Sequence, residues 1–319
     1  MKLSRDYVVL LYETLLGRLP DPEGLAHHSA VLEQTGDLRL VVDALTNSEE
    51  YASRHIAQTV STQDEDLGRP LVIVDVGAQK LESEDHAYFA LLNSGFEWRC
   101  IGFEPLNHRR TDRMADEHDS RLTMLDAFVG DGGRHTFRMV NDDGSSSLLA
   151  LNDVFIRDYE HICTLKTAAE EEVQTETLDK LLERERAIDF LKLDIQGFES
   201  RALAYASETL RRTNVVHCEC LFGPMYIDQS YFSDIDNILR SAGFEFIDLT
   251  YLARYRYVAV PRPSTTGERL IWADAIYFRK LDPGRDPKSS FMAQALIAET
   301  VYRKPGLAQQ IRHYAETAL

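Results

Sequence analysis

Short apolar segments recur along this chain between helix-like stretches, and they limit its fold more than any other feature. Leu71–Val76 reads Leu-Val-Ile-Val-Asp-Val, Ile188–Leu193 reads Ile-Asp-Phe-Leu-Lys-Leu, and residues 215–222 read Val-Val-His-Cys-Glu-Cys-Leu-Phe. Runs of this length with little polar alternation are strands buried on both faces of a parallel sheet. Further strands are expected at 99–103, 121–128, 244–252 and 270–279, with 134–140 as a strand of an inserted hairpin followed by the polar run 141–147. Helical periodicity covers 84–94 (with Gly95 as its stop), 107–118, about 198–211 and 231–242. Residues 154–187 are highly charged and give no clear period. Strands alternating with helices imply an α/β, doubly wound, Rossmann-like sheet. The last two strands have no helix-length segment between them, so they are expected to be antiparallel neighbours.

A different grammar precedes the sheet. Val8, Leu11, Tyr12, Leu15 and Leu16 fall on one helix face, and Gly17 through Pro20 end that helix. Asp21-Pro22-Glu23 reads as an N-cap with proline at the first helical position. Leu38, Val41, Val42 and Leu45 follow at helical spacing, and a last short helix opens at Ser48–Tyr51. The predicted organisation is a small all-α module over 1–58, a polar linker over 59–69, the α/β domain over 70–282, and a helical C-terminal tail over 283–319 that either covers the site or mediates self-association. No internal repeat is present.

Composition removes several classes of function. Thirty-five Lys and Arg against 52 Asp and Glu give a net charge of −17. A surface this acidic argues against phosphate-backbone binding, which depends on cations displacing counterions, so no nucleic-acid partner is expected. It also argues against docking on an anionic membrane. No apolar run approaches the roughly 18 residues a membrane span needs, and no secretory signal is read at the start, so a cytoplasmic location is expected. Of the cysteines, only Cys218 and Cys220 are close, and no second pair completes a zinc site, so no metal is expected.

Ligands of open α/β sheets sit at the carboxyl ends of the strands, near the switch in strand order. The residues there are Asp75, Gly77 and Ala78 after the first strand, Glu104-Pro105 after the second, Asp126-Ala127 after the third, Asp194 after the fourth, and Glu219 near the end of the fifth. Gly77 allows a tight turn and close backbone approach. An acid at the end of the second strand accepts ribose hydroxyls in dinucleotide folds. The plainer alternative is that Asp75 caps the next helix and Glu104 makes a surface contact. Lys192, inside the fourth strand, reads as a paired buried charge.

Within this frame, Ile188-Asp-Phe-Leu-Lys-Leu-Asp-Ile-Gln-Gly-Phe-Glu199 resembles the signature of the FkbM family of S-adenosylmethionine-dependent methyltransferases. Val74-Asp-Val-Gly-Ala78, Gly102-Phe-Glu-Pro105, Gly144-Ser-Ser-Ser-Leu148, Thr175-Glu-Thr-Leu-Asp179 and Trp272-Ala-Asp-Ala-Ile276 resemble the family in the same order. The resemblance covers roughly 70–280. It implies a class I methyltransferase sheet of about seven strands, mostly parallel with the last antiparallel. It also implies S-adenosylmethionine held by Asp75, Gly77, Ala78, Glu104, Pro105, Asp126, Ala127 and Asp194. Two positions depart from the family pattern. The loop 77–83 lacks a second glycine, and Gln196 stands where the family usually has glutamate. The segment Tyr7–Gly24, with Asn47–Tyr51, resembles a small helical domain of unknown function found in bacterial surface and glycan-related proteins. It is read as an element for a protein partner or self-association, or as a stabilising appendage.

Methyl transfer to a hydroxyl of a sugar, glycan or natural product requires the hydroxyl proton to be taken up as attack proceeds. Asp194, His217 and Glu219 are the candidate bases. His217 and Glu219 share one face of their strand, and Cys218 and Cys220 the other. Ser145–Ser147, within 141–165, form part of the expected acceptor wall. The competing reading is a non-catalytic cofactor- or partner-binding module on a degenerate methyltransferase scaffold. A nicotinamide oxidoreductase is disfavoured because the first loop lacks Gly-x-Gly-x-x-Gly.

Overall fold

The computed structural model describes residues 2–16, 18–48, 51, 67–79, 86–116, 119–259 and 267–317. The chain divides into two compact units, 1–65 and 66–319. Most of the expected linker and of the helix at Ser48–Tyr51 lies outside the described residues, as does the loop beyond Gln79 up to residue 85.

The first unit contains helices Lys2–Leu16, Pro22–Thr35 and Leu38–Thr46. The starts of the second and third are explained by their caps. Asp21 accepts from the Gly24 N–H at 2.8 Å and Asp37 from the Arg39 N–H at 3.0 Å. Gly36, left-handed at φ 66°, closes the second helix by donating to the Leu32 carbonyl. Val8, Tyr12, Leu16, Val41 and Leu45 form the core, with Leu11 and Leu15 packed half-buried against it. Gly24 lies directly under the Tyr12 ring, where a Cβ would meet the hydroxyl.

The second unit is built on ten strands: β1 (Leu71–Val76), β2 (Trp98–Phe103), β3 (Leu122–Leu125), β4 (Phe128–Val129), β5 (Arg134–Val140), β6 (Thr167–Glu176), β7 (Ile188–Leu193), β8 (Thr213–Leu221), β9 (Phe244–Tyr255) and β10 (Arg269–Arg279). Seven form the main sheet in the order β3-β2-β1-β7-β8-β10-β9. Its neighbours pair in parallel, except that β10 runs antiparallel to both β8 and β9. The strand order therefore switches between β1 and β7. A second sheet, β4-β6-β5, grows from the β3–β7 connection.

Three departures from the sequence reading have local causes. The expected single strand 121–128 is cut at Asp126-Ala127, because β3 belongs to the main sheet and β4 to the small one. The expected helix 198–211 is two helices, Glu199–Ala204 and Ser207–Arg211. The aperiodic charged stretch contains β6, whose first six residues are exposed, so no face-to-face alternation marks it.

Each face of the main sheet buries a separate core. Val74, Val76, Leu191, Val216, Cys218 and Cys220 face the helices Glu199–Ala204 and Phe232–Ser241. Ile73, Phe190, Val215, Ile276 and Phe278 face the C-terminal helices Lys288–Thr300 and Pro305–Thr317. The helices Lys288–Thr300 and Pro305–Thr317 are thus a layer on the sheet. Gln294, 3 % exposed, secures this layer by donating to the carbonyls of Asn214 and Arg279 at 3.0 and 2.9 Å.

Asp189, fully buried in β7, ties the amino ends of three strands together. It accepts from Arg69 at 2.6 and 2.8 Å, from the Val72 N–H at 2.9 Å and from the Asn214 amide at 2.9 Å. Removing one partner of a buried charged pair leaves the others uncompensated. Asp189→Ala is therefore expected to cost about 3–5 kcal/mol in urea denaturation followed by circular dichroism.

Candidate active site

A cleft of about 440 Å³ opens at the carboxyl ends of β1, β2, β7 and β8, beside the β1–β7 switch. That size and position suit a small-molecule site in an open α/β sheet. Gly77, Glu104, Pro105, Ala127, Asp194 and Glu219 line it. Ser145–Ser147 line it as well, each side chain engaged: Ser145 on Asp142, Ser146 on the Val140 N–H, and Ser147 on the Gln196 carbonyl.

Charged residues cross the sheet floor strand by strand. Asp75 on β1 is in register with Lys192 on β7, which is in register with His217 on β8; Glu219 on β8 faces Asp274 on β10. Asp75 is fully buried and does not line the cleft. Its Oδ2 accepts from Arg113 at 2.8 Å and from the Tyr88 hydroxyl at 2.7 Å, and its Oδ1 lies 3.6 Å from Lys192 Nζ. Burial alone would raise its pKa, but Lys192, Arg113, His86 and Tyr88 outweigh burial and hold it at about 2. The alternative in which Asp75 caps the next helix is not what its described bonds show. Arg113 also donates to the Ala78 carbonyl at 2.7 Å, so the network braces the turn after β1 from below.

Gly77 has φ +76°, and a Cβ there would collide with the Asp194 carbonyl. No other residue fits this crossing of the β1 and β7 ends. The N–H groups of Gly77 and Ala78 both donate to the Phe103 carbonyl, at 3.2 and 3.1 Å, which locks the turn to β2. Ala78 is buried beneath the cleft lining. Asp126 points away from it, exposed and paired with Arg110 at 3.1 Å.

Glu104 is 4 % exposed. One carboxyl oxygen accepts from the Leu106 N–H at 2.8 Å, and the other has no hydrogen-bond partner among the described residues. Burial raises its pKa to about 7, helped by Asp75 and opposed by the Leu106 bond and by Arg110 and His108. A buried carboxyl with an open oxygen on a cleft wall is suited to hydroxyl donors.

At the opposite end, Asp194 is held on both oxygens. Lys192 lies 3.2 Å from Oδ2, and Gln196 Nε2 donates to Oδ1 at 2.8 Å. The same Gln196 nitrogen donates to Glu219 at 3.0 Å, while Gln196 Oε1 meets the Tyr226 hydroxyl at 2.9 Å. Gln196 sits at φ 54°, a costly conformation held by these contacts. A glutamate there would set a third carboxylate against Asp194 and Glu219. The amide bridges them instead. Glu219 is pushed well above the ordinary carboxylate range by burial and by Asp194, Glu199 and Asp274. His217 is 2 % exposed and is not part of the cleft lining. Its Nε2 lies 3.0 Å from Asp274, which does line the cleft, and its Nδ1 lies 3.1 Å from the Tyr302 hydroxyl.

Of the residues singled out from sequence, the cleft thus gathers Gly77, Glu104, Pro105, Ala127, Asp194 and Glu219, and leaves Asp75, Ala78, Asp126 and His217 beneath or outside it. Sequence reasoning missed Arg113, Tyr88, Tyr226 and Tyr302. Arg113 lies in a charged helix, and nothing local distinguishes it from its solvated neighbours. Asp274 lay inside a recognised motif and was legible as an acid on the same face as Trp272. Among the described residues, no group of three or more His, Cys, Asp or Glu side chains is arranged to hold a metal ion, and no helix is long and apolar enough to cross a membrane.

The Methyltransferase FkbM domain profile matches residues 75–246, and a domain of unknown function, DUF4214, matches residues 2–55. No protein of curated function matches the chain. Among solved structures, the chain is similar to methyltransferase FkbM from Methylobacillus flagellatus, at 17 % identity and TM-score 0.37, covering 85 % of this chain and 58 % of that one. It is also similar to a TehB-like SAM-dependent methyltransferase from Corynebacterium glutamicum, at 11 % identity and TM-score 0.32 over 79 % and 99 % of the two chains. A third is the Burkholderia thailandensis 1,6-didemethyltoxoflavin-N1-methyltransferase, at 15 % identity and TM-score 0.33 over 83 % and 92 %. The chain thus spans less than two thirds of the Methylobacillus protein's length.

A seven-stranded sheet with one reversed strand beside its edge, and a cleft at the β1–β7 switch, define the class I methyltransferase fold. Over more than half its length the chain matches one family within that class, and it belongs to the FkbM methyltransferases.

The Glu104 environment sets a stability signature. Its folded pKa of about 7 lies above the ordinary 4.5, so the folded state binds the extra proton. The associated stability is full below pH 4.5 and is lost as pH rises through 7. Glu104→Gln is therefore expected to be more stable than the parent chain at pH 8, by up to about 3 kcal/mol, with no difference at pH 4.5, in chemical denaturation at the two pH values.

Proposed function

We propose that this protein is an S-adenosylmethionine-dependent O-methyltransferase acting on a hydroxyl of a sugar, glycan or natural product. The observation that carries the reading is Glu104. A buried carboxyl with one oxygen open to the cleft closes β2, beside a glycine turn that no side chain permits. That pairing fits the adenosine ribose: its two hydroxyls are donors that satisfy the open oxygen and restore the charge that burial suppresses. The Gly77 backbone, Pro105 and Ala127 shape the same end of the cleft. Asp75 and Ala78 support this end from below, and Asp126 steadies Arg110, whose guanidinium donates to the Glu104 carbonyl at 2.7 Å.

The methyl donor brings a sulfonium, already activated for displacement, so the protein's work is alignment, exclusion of water and proton removal. Asp194, beside Lys192 and Gln196, stands at the floor between the two halves of the cleft. The serine loop forms the acceptor wall. It is braced from the first helix after β2, where His108 and Arg109 meet Asp143 at 3.0 and 2.9 Å. The donor is a cytoplasmic metabolite, and we place the chemistry there. The N-terminal module is read as a docking element for a protein partner or a second copy.

Isothermal calorimetry with S-adenosylhomocysteine tests the reading directly. Glu104→Ala is expected to weaken binding by at least about tenfold, the loss of two charge-assisted hydrogen bonds. Gly77→Val is expected to abolish binding through the Asp194 collision. No binding by the folded parent chain would exclude it.

A further inference from the structure

Of the acids that line the acceptor half of the cleft, Asp142 and Asp143 belong to the serine loop, engaged by Ser145 and by His108 and Arg109; the other three, Asp194, Glu219 and Asp274, rise from the sheet, and their surroundings differ. Asp194 has both oxygens engaged, by Lys192 and by Gln196. Glu219 is 6 % exposed, and burial and the acids around it push its carboxyl toward the protonated form, the unfavourable state for a base. Asp274 shares with Glu219 a cleft-lining position with one oxygen fixed and one open, but it is the more accessible of the two, with 17 % of its side chain exposed. Its Oδ2 is 3.0 Å from His217 Nε2, and its Oδ1 has no hydrogen-bond partner among the described residues.

The fixed side continues inward. His217 lies between Asp274 and Tyr302, with Nδ1 3.1 Å from the Tyr302 hydroxyl and the two rings stacked at 9°. Burial raises the Tyr302 pKa, so its hydroxyl stays protonated and is able to donate to Nδ1. In the arrangement where Tyr302 donates to Nδ1, the ring N–H on Nε2 donates to Asp274 Oδ2. The order Tyr302, His217, Asp274 is a triad of the kind that holds one group in a single protonation state and orientation. Its inner member comes from the C-terminal layer, between helices Lys288–Thr300 and Pro305–Thr317.

We infer that Asp274 is the catalytic base of this site, and that His217 and Tyr302 are its positioning residues. The inference rests on the methyltransferase reading above. In the step it serves, a lone pair of the acceptor oxygen forms the new carbon–oxygen bond as the carbon–sulfur bond breaks. The sulfur keeps that electron pair and becomes a neutral thioether, and the hydroxyl proton passes to Asp274 Oδ1. The Nε2–H of His217 stays on Oδ2 throughout, so the acid formed faces the cleft and can release its proton there. Asp274 also acts electrostatically on Lys192 on β7 and on Cys218 and Glu219 on β8.

The test needs no acceptor. Sinefungin carries an amine-bearing carbon in place of the methylsulfonium of S-adenosylmethionine, so its ammonium occupies the position of the transferred group; S-adenosylhomocysteine has neither. Calorimetry on the full chain compares the two ligands. The parent is expected to prefer sinefungin by about tenfold or more, a charge-assisted hydrogen bond. Asp274→Asn is expected to remove the preference while S-adenosylhomocysteine affinity stays within about twofold, which also controls for folding. His217→Ala is expected to lose most of the preference and His217→Gln, which keeps an N–H donor, to restore it; a merely structural histidine would not separate these two. Tyr302→Phe repeats the test on the inner member. A sinefungin preference that survives Asp274→Asn, with S-adenosylhomocysteine still bound, overturns the assignment and leaves the methyltransferase reading standing. Failure of the parent to bind S-adenosylhomocysteine removes that reading and the assignment with it.

Discussion

A half-buried lysine held between two aspartates organises this protein. Lys192 Nζ lies 3.2 Å from Asp194 and 3.6 Å from Asp75, and 3.5 Å from the Gly77 carbonyl. Burial would drive its proton off, but Asp194, Asp75 and Asp274 together raise its pKa above the ordinary lysine value. A buried ion pair contributes little net stability over a hydrophobic alternative, because desolvation cancels most of the attraction. What it supplies here is position. It pins the ends of β1 and β7 at the switch point, where the chain must open a cleft.

The remaining electrostatics follow from that pin. With Lys192 and Arg113 spent on Asp75, and Lys192 also on Asp194, Glu219 has no cation among its described bonds, and it holds its proton. Gln196 then bridges Asp194 and Glu219, a role that an amide performs and a further carboxylate would not. Glu104, at the far end, also lacks a direct cation and is raised by burial, which leaves it ready for hydroxyl donors. One cleft therefore holds carboxyl groups in several states, set by burial and neighbours rather than by residue type.

Much of this was legible in the chain. The buried strands announced themselves as apolar runs, and the absence of a helix between 252 and 270 predicted the antiparallel pair of β9 and β10. Gly77 and Glu104 were found from their places after β1 and β2. The misplacements share one cause. Asp75, Ala78 and Asp126 occupy strand-end positions as expected, and His217 lies mid-strand in β8, but place along a strand does not say whether a side chain rises into a cleft, turns to the surface or is claimed by a distant partner. The partners that claim Asp75 and His217 are Arg113 and Tyr302, 38 and 85 residues away.

By itself, the amino-acid sequence determined the sheet, its strand directions and the acids available at its carboxyl edge, because hydrophobic period and turn chemistry are local properties. Only the tertiary structure decided which of those acids are charged, which are neutral and which face the cleft. Those states depend on burial and on charges brought within a few ångströms by packing, and neither is written in any one segment. The C-terminal layer shows this most clearly. Its helices were visible as periodic apolar residues, yet their contribution of Tyr302 to the floor beneath the site exists only once they pack on the sheet.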